Sequence, residues 1–362
     1  MSNIDKDGWR ALHYAAENGK KEVLRLLIDN GADVSNIDKN GLTALHNAVY
    51  KGHEEIVRLL IDNGADVNSV NTNNGGTVLH NAVYKGHEEI VRLLIDNGAD
   101  VNSVNTNNGG TVLHNAVNKG HEEIVRLRID NGADVNIADA AGLIALCHAG
   151  YKGHEEIVRL LIENGADVSN IDKDRWSALH YAVYKGHEEI VRLLINNGAD
   201  VNIVNTNNGG TALHNAVYKK DEEIVRLLID NGADLNVAEK NGWSAPHYSA
   251  NEGYKEVVRL LIDNGADVSN IGKDRWSALH NAVYKGHEEV VKLLIDNGAD
   301  VSNIDKDRWS ALHHAVYKGH EEIVRLLIDN GADVSNIDKD GWSALHYAVT
   351  EAGETRHWGI EH

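Results

Sequence analysis

The sequence predicts an all-α array of short repeated units that stack on one another. A Leu-His pair recurs at nearly constant spacing: His46 follows His13 by 33 residues, and His80 follows His46 by 34. Repetition at this period is typical of solenoid proteins. Nearly every unit contains two apolar stretches separated by glycine, and the 362 residues include one proline. So little proline argues against separate domains joined by Pro-rich linkers.

The repetition divides residues 1–350 into eleven units, the last incomplete, and leaves residues 351–362 as an irregular C-terminal tail. The units begin near Asp5, Asp38, Asn71, Asn105, Asp139, Asp172, Asn205, Glu239, Gly272, Asp305 and Asp338. From Thr350 onward the pattern of a second helix is missing. We therefore expect the tail to be a poor cap for the array.

The first half of each unit has the pattern of a short helix. In the second unit, apolar residues stand at Ala44, Leu45, Ala48 and Val49, which is one helical face. Gly52 follows, at a position where glycine commonly ends a helix.

The second half has the pattern of a longer amphipathic helix. Glu54 and Glu55 stand in its first turn, where negative charge interacts favourably with the helix dipole. Residues 56–61 supply a wide apolar stripe, Asn63-Gly64 ends the helix, and Asn-Gly or Asp-Gly marks the tip of a hairpin. One helix–turn–helix–hairpin unit is too small to bury its own apolar face, so the units must stack.

The residues of one unit resemble the ankyrin repeat. The run 41–48 is similar to the signature Thr-Pro-Leu-His-x-Ala, with Ala or Val in place of the proline, and the runs 52–57 and 63–68 are similar to the rest of the repeat. The similarity extends from residue 5 to about residue 350. It implies an α-solenoid in which the units stack into a curved array, with a concave face of hairpins and inner helices that binds another protein.

The composition excludes several classes of partner. The formal net charge of −20 is spread evenly over the repeats, which disfavours nucleic acid and anionic membrane surfaces. No apolar run approaches the length of a membrane span, no secretory signal is visible, and the single cysteine, Cys147, excludes an internal disulfide. We therefore expect a monomeric intracellular protein, in the cytoplasm, whose partner is another protein.

None of the candidate chemical motifs is complete. The signature histidines recur once per repeat as parallel side chains, which do not converge on one metal ion. The stretch 53–57 lacks the second histidine of a zinc-protease motif, and Asn-Asn-Gly-Gly at 73–76 lacks the Lys-Ser/Thr of a phosphate-binding loop. Cys147 and His148 are adjacent on a helix and point apart. We expect no catalytic, cofactor-binding or metal-binding residues, and hence no enzyme.

Several residues depart from the repeat pattern. Arg128 takes a place that leucine holds in other second helices, and the fifth unit has Cys147 in place of the signature histidine and a glycine at Gly150. Pro246 replaces the signature leucine of the eighth unit. We expect these positions to be weak links, with stepwise unfolding and early hydrogen exchange near residues 125–150.

Aromatic and basic residues are concentrated at corresponding positions of the C-terminal repeats. Four consecutive hairpin tips carry Trp243, Trp276, Trp309 and Trp342, two tips replace glycine with Arg275 and Arg308, and two first helices carry Tyr284-Lys285 and Tyr317-Lys318. In the ankyrin family these positions line the binding groove, and such residues are typical of interface hot spots. Arginine in a turn with positive φ costs on the order of 1 kcal/mol, so we expect an exposed Arg/Trp pair that binds a partner.

Three alternatives remain open. The aromatic residues could pack against the neighbouring hairpin and only stabilise the stack, and duplication of one drifted unit would also produce the repeated Arg-Trp pattern. At the level of the whole chain, a protein–protein interaction scaffold stands against a structural spacer or effector fragment whose binding module lies outside this chain.

Overall fold

The computed structural model describes residues 4–351, with the side chains of Thr350 and Glu351 left out. The predicted tail, 351–362, lies outside these residues except for the backbone of Glu351. The described chain contains twenty-one helices: α1 (Ala11–Glu17), α2 (Lys21–Asp29), α3 (Ala44–Lys51), α4 (Glu54–Asp62), α5 (Val78–Lys85), α6 (Glu88–Asp96), α7 (Val112–Lys119), α8 (Glu122–Asp130), α9 (Ala145–Lys152), α10 (Glu155–Glu163), α11 (Ala178–Lys185), α12 (Glu188–Asn196), α13 (Ala212–Lys219), α14 (Glu222–Asp230), α15 (Ala245–Glu252), α16 (Lys255–Asp263), α17 (Ala278–Lys285), α18 (Glu288–Asp296), α19 (Ala311–Tyr317), α20 (Glu321–Asp329) and α21 (Ala344–Glu351).

The helices form two compact units, each built in the same way. The first unit comprises the residues up to Lys173 with Ser177–Ala199 and contains α1–α12, and the second comprises Asp174–Trp176 with the residues from Asp200 onward and contains α13–α21. Within each unit, an odd-numbered helix packs against the even-numbered helix after it and against the next odd-numbered helix. The hairpins form isolated β-bridges, and no extended strand occurs among residues 4–351. The predicted all-α solenoid of helix–turn–helix–hairpin units is confirmed.

Most first helices begin at a capping box that uses the signature histidine. At α3, the backbone N–H of His46 donates to Thr43 Oγ1 (3.4 Å), and the backbone N–H of Thr43 donates to His46 Nδ1 (3.1 Å). These two bonds satisfy amides that a helix N terminus otherwise leaves unpaired. The helix ends at Gly52, whose φ of 80° is a left-handed conformation that glycine adopts without strain.

The second helices bury one apolar stripe. In α4, Ile56, Val57 and Leu60 are buried, whereas Glu54 and Arg58 pair at the surface with an N–O distance of 3.2 Å. An exposed pair at this spacing contributes only about 0.3–0.5 kcal/mol. Burial of the apolar stripe therefore stabilises these helices more than their surface charges do.

Hydrogen bonds join each repeat to the next at two regular places. In several repeats the signature histidine reaches the next hairpin, as where His13 Nε2 donates to the carbonyl of Leu42 (3.1 Å), whereas Nε2 of His46, His214 and His280 has no partner among the described residues. The hairpin backbones also pair, as where the N–H of Lys306 donates to the carbonyl of Asp274 (3.0 Å). Because the backbone link recurs at the same position in most units, it fixes the register of neighbouring repeats.

A third link depends on which residue follows the second helix and its turn. Asn136 Nδ2 donates to the carbonyl of Gly165 (2.9 Å), while Asn136 Oδ1 accepts from the N–H of Asp167 (2.8 Å). Where serine replaces this asparagine, as at Ser302, the hydroxyl donates to the nearby carboxylate of Asp300 (2.6 Å). The serine repeats therefore lack the asparagine link.

Arg128 lies in the core of the first unit. Its side chain has no exposed surface, and Nε, Nη1 and Nη2 have no hydrogen-bond partner. Burial lowers the pKa of this guanidinium to about 10. Because a buried charge without a partner destabilises the folded state, the physical basis of the predicted weak link is present.

The fifth repeat has lost its capping box but not its helix. Ile144 caps α9 without a side-chain hydrogen bond, and the buried Cys147 thiol donates to Asn170 Oδ1 (3.8 Å). Gly150 has a packing role, because a Cβ atom there would lie 3.0 Å from the carbonyl oxygen of Ala178. Gly150 thus permits α9 and α11 to approach closely. The sequence alone indicated only a weak link at this glycine.

Pro246 is accommodated at the start of α15. It stands in the first turn, where the missing N–H leaves no helical hydrogen bond unmade. The capping box of Ser244 and His247 is retained. The substitution therefore leaves the helix intact.

Candidate protein-binding site

The ten residues predicted to bind a partner all lie in the second unit. Trp243, Trp276, Trp309 and Trp342 stand at hairpin tips, Arg275 and Arg308 directly precede two of them, and Tyr284, Lys285, Tyr317 and Lys318 lie at the C-terminal ends of α17 and α19. We call these ten residues the tip–helix face. The structure thus places them at equivalent positions of consecutive repeats.

The tryptophans of this face form a continuous run of ring contacts with aromatic side chains of the neighbouring first helices. The ring centroids of Trp276 and His314 lie 4.8 Å apart, those of His314 and Trp309 5.1 Å, those of Trp309 and Tyr347 4.9 Å, and those of Tyr347 and Trp342 5.3 Å. Tilted pairs at such distances contribute about 0.5–1.5 kcal/mol each beyond the burial of area. The run therefore helps to hold the last repeats together.

The tryptophans are less exposed than the sequence suggests. Trp243, Trp276 and Trp309 are half-buried, whereas Trp342 is 39% exposed. For Trp276 and Trp309 the reason is that a ring of the following repeat covers part of the indole. The expectation of an exposed Arg/Trp pair is wrong for these two indoles, and the alternative that they pack against the neighbouring repeat has structural support.

The two tip arginines adopt the strained turn expected of them. Arg275 and Arg308 are exposed, with φ of 63° and 64°. The equivalent residues of the fourth and fifth repeats are Gly109 and Gly142, with φ of 69° and 91°. The turn has therefore kept the glycine-type conformation, at a cost of about 1 kcal/mol for each arginine.

The side chains of these arginines are available to a ligand. Within residues 4–351, neither the Arg275 nor the Arg308 guanidinium makes a hydrogen bond or an ion pair. Arg175 occupies the same position in the sixth repeat with φ of 60°, but its Nε donates to the carbonyl of Val204 (3.1 Å). Arg175 is thus a natural reference for an arginine held by its own chain.

The first helices add positive charge and aromatic surface. Lys318 Nζ lies 4.1 Å from the ring centroid of Tyr284 and 5.7 Å from that of Tyr317, which are cation–π distances. Lys285 is exposed, and Tyr317 is 36% exposed. Lys318 therefore presents an ammonium group beside the rings of Tyr284 and Tyr317.

The acidic residues at the tips are paired with lysines. Lys306 Nζ lies 3.0 Å from Asp274 Oδ1, and Lys339 Nζ lies 3.1 Å from Asp307 Oδ1. These carboxylates lie beside the tip arginines in sequence but are neutralised by the following repeat. The tip–helix face accordingly keeps the positive charges of Arg275 and Arg308.

The signature histidines are structural groups in the described chain. Burial lowers the pKa of His46, His80, His214 and His280 to about 4, so these rings are neutral near pH 7. In each of these four histidines, Nδ1 accepts a hydrogen bond from the backbone N–H of the N-cap residue of its helix. Sequence reasoning missed one cluster beside the signature histidines, which joins His114 to Asp139 and His148. Its signal was that His148 and His314 alone place histidine directly after the signature position.

Among the described residues, no helix combines the length and the apolar character needed to cross a bilayer.

Comparison with protein families agrees with this architecture. A family model described as ankyrin repeats (3 copies) matches residues 1–71, 69–139, 113–205, 146–239, 213–305 and 279–357. A comparison with curated proteins gave no match. Ankyrin repeats generally mediate protein–protein interaction and are typically non-enzymatic. Because the matches extend from residue 1 to residue 357, the chain belongs to the ankyrin-repeat family.

Proposed function

We propose that the chain is a non-enzymatic protein–protein interaction scaffold that binds a partner protein on the tip–helix face. The carrying observation is that Arg275 and Arg308 are exposed in left-handed turns. Each turn costs about 1 kcal/mol relative to glycine, and no hydrogen bond or ion pair of either guanidinium within residues 4–351 offsets that cost. Backbone strain that nothing in the fold requires supports a role in binding.

The chemistry of the face fits a partner segment that carries carboxylates beside an apolar side chain. A guanidinium binds a carboxylate through two parallel hydrogen bonds, and Lys285 and Lys318 add positive charge. Trp342 and Tyr317 supply exposed aromatic surface. Although the whole chain carries a net charge of −20, the local group of cations on this face would attract and orient an acidic segment on approach.

The proposal includes a cytoplasmic monomer without a cofactor. A net charge of −20 opposes self-association, and a single buried cysteine requires no oxidising compartment.

The half-buried indoles favour a second candidate, a structural spacer whose binding module lies outside this chain. In that case the aromatic run between Trp276 and Trp342 would serve only to stiffen the last repeats. The two candidate functions differ in the role of the tip arginines. A scaffold uses Arg275 and Arg308 to bind its partner, whereas a spacer has no use for them, since their guanidinium groups form no hydrogen bond or ion pair within residues 4–351 that would stabilise the stack.

The test replaces both arginines with the residue that other tips carry. The wild-type chain is used to capture a partner from cell lysate, and the affinity of that partner is then measured for Arg275→Gly/Arg308→Gly. We expect at least a tenfold loss, because one hydrogen bond to a charged group is worth about 1.5–3 kcal/mol. The same variant should have a higher urea midpoint of unfolding, since two strained turns are relieved.

Arg175→Gly is the matched control. It relieves the same turn but removes an arginine already bonded to Val204, so the affinity should not change. If the double variant lost no more affinity than this control, the tip–helix face would not be the interface. Failure of the wild-type chain to capture any partner would favour the spacer. Alanine at Trp276 or Trp309 would be less informative, because it also breaks the aromatic run.

A further inference from the structure

Three metal-ligating side chains meet where the fourth repeat joins the fifth. His114 lies on α7, Asp139 begins the fifth repeat, and His148 lies on α9. One ligand atom from each lies within 4.8 Å of the other two, and His148 Nε2 is 3.2 Å from Asp139 Oδ2. The rings of His114 and His148 are perpendicular, with centroids 5.3 Å apart. The cluster therefore brings together two imidazoles and a carboxylate from two repeats.

We propose that His114, Asp139 and His148 bind a divalent transition-metal ion of the Zn²⁺ type, a site that goes beyond the proposed scaffold function. Two imidazole nitrogens and one carboxylate oxygen are a common protein donor set for zinc, with water in the fourth position. Imidazole donors select against Mg²⁺ and Ca²⁺, which prefer oxygen ligands.

The spacing of the donors is close to what such an ion requires. Zinc bonds of about 2.0–2.2 Å place two ligand atoms of a tetrahedral site about 3.4 Å apart. His148 Nε2 and Asp139 Oδ2 are already 3.2 Å apart, which is close to this value. The third ligand, His114, lies within 4.8 Å of the other two, so an approach of at most about 1.4 Å completes the site.

Neighbouring groups orient the carboxylate for this role. Asp139 Oδ1 accepts the backbone N–H groups of Ala141 (2.9 Å) and Leu143 (3.0 Å). These bonds fix the carboxyl group and leave Oδ2 directed at His148. Such outer partners are a regular feature of protein metal sites.

His114 has an outer partner as well. Its Nδ1 accepts the N–H of Thr111 (3.0 Å), so Nε2 carries the proton and donates to the carbonyl of Leu143 (2.9 Å). If the ion bound Nε2, the proton would move to Nδ1 and be donated to Thr111 Oγ1 (2.8 Å). The imidazole would stay neutral, and the bond to the metal would replace two hydrogen bonds, the one to Leu143 and the one from the N–H of Thr111.

Cys147 is excluded from the donor set despite its position beside His148. Its thiol is buried and donates to Asn170 Oδ1 (3.8 Å). The group of ligand atoms that lie within 4.8 Å of one another consists of His114, Asp139 and His148 and does not include this sulfur.

A second histidine–aspartate pair in the chain shows why the first is open to an ion. His314 Nε2 and Asp305 Oδ2 are 3.1 Å apart at the equivalent positions of the tenth repeat. Their side chains are only 7% and 5% exposed, whereas those of His148 and Asp139 are 21% and 16% exposed. Solvent therefore reaches the pair in the fifth repeat more readily.

The hairpin tips account for this difference. The indoles of Trp276 and Trp309 lie over the His314 ring, with centroids 4.8 and 5.1 Å away. The equivalent tip residues beside His148 are Gly110 and Leu143, which carry no ring. The two indoles therefore shield the His314–Asp305 pair from solvent, whereas the His148–Asp139 pair has no such cover and stays accessible.

The test titrates Zn²⁺ into the full, untagged, chelator-treated chain and measures the affinity and the number of sites by calorimetry. Two variants use residues that other repeats carry at the same positions: His148→Asn, as at Asn115, and Asp139→Asn, as at Asn105. We expect one tight site in the wild-type chain and at least about tenfold weaker binding in each variant, since even an outer partner of a ligand contributes about 10- to 100-fold. Zinc should also slow amide exchange in α7 and α9 of the wild-type chain alone.

His314→Asn is the control, and it should bind zinc as the wild-type chain does. Absence of a tight site in the wild-type chain would overturn the proposal. So would equal zinc affinity in wild type, His148→Asn and Asp139→Asn, because the ion would then be held by histidines outside this cluster.

Discussion

The joint between the fourth and fifth repeats (α7–α10) and the joint between the ninth and tenth (α17–α20) have nearly the same helices but different interiors. Arg128 in α8 and Leu294 in α18 occupy the same position, and both are fully buried. The leucine completes an apolar stripe, whereas the arginine leaves three nitrogens without a partner. We therefore expect the two joints to differ in stability although their helices follow the same pattern.

The asparagine link does not compensate for Arg128. Asn136 makes two hydrogen bonds across the fourth–fifth joint, whereas Ser302 makes none across the ninth–tenth joint. Two such bonds are worth about 1 kcal/mol each. The fall of the Arg128 pKa from 12.5 to about 10 corresponds to about 3 kcal/mol, so the arginine has the larger effect.

The same two joints differ at their first helices. Trp276 and Trp309 cover the His314–Asp305 pair, whereas Gly110 and Leu143 leave the His148–Asp139 pair accessible. A few side chains can therefore change the accessibility of a polar pair in a repeat array while the fold stays constant. We expect the joint that carries Trp276 and Trp309 to be the more stable of the two, and the joint that carries the proposed metal site to be the weaker.

The largest predicted effect comes from exchanging the buried residues of the two joints. Arg128→Leu should stabilise the fourth–fifth joint by about 3 kcal/mol, because an unpaired buried charge is replaced by the apolar side chain that the position accepts elsewhere. The free energy of opening of α7–α10, measured by native-state hydrogen exchange, checks this value.

The reverse change, Leu294→Arg, should destabilise α17–α20 by about 3–5 kcal/mol. Its readout is the fluorescence of Trp276 and Trp309 during urea unfolding. If Arg128→Leu left the exchange of α7–α10 unchanged, the buried guanidinium would not be the cause of weakness.

A smaller effect follows from acid. Burial lowers the pKa of His280 to about 4, whereas an unfolded histidine titrates near 6.5. Between these two pH values the unfolded chain binds more protons than the folded chain. The folded protein therefore has its full stability above pH 6.5 and loses part of its free energy of unfolding as the pH falls towards 4. At pH 5 the loss from His280 alone is about 2 kcal/mol. Urea unfolding followed by tryptophan fluorescence at pH 7 and pH 5 measures it.

His280→Gln provides the reference for this measurement, because glutamine does not titrate. The variant is expected to be less stable at both pH values but to lose less stability between them than the wild-type chain. An equal loss in the two proteins would show that the acid sensitivity of the ninth–tenth joint arises elsewhere.

Much of this account could be predicted from the sequence, because it depends on features within one repeat. The spacing of the signature histidines predicted the units, and the position of Arg128 on an apolar stripe predicted its burial. Glycine at the equivalent tips predicted the positive φ of Arg275 and Arg308. Lys220 was missed although its signal was present, since it replaces the glycine that ends a first helix and adopts φ of 58°.

What could not be predicted depends on contacts between repeats. The half-burial of Trp309 arises from Tyr347 in the following repeat, and the role of Gly150 depends on the approach of Ala178. The proposed metal site requires side chains that are 34 positions apart in sequence, from His114 to His148. A pattern within one unit gives the direction of a side chain along its helix but not the distance to a residue of the next unit.

Native-state hydrogen exchange of the intact chain at pH 7, without added metal, tests the difference between the two joints most directly. We expect the amides of α7–α10 to exchange through an opening that costs less free energy than the opening of α17–α20, with the earliest exchange near residues 125–150 and with stepwise unfolding in urea. Equal protection in the two joints, with one cooperative transition for the whole chain, would contradict the account.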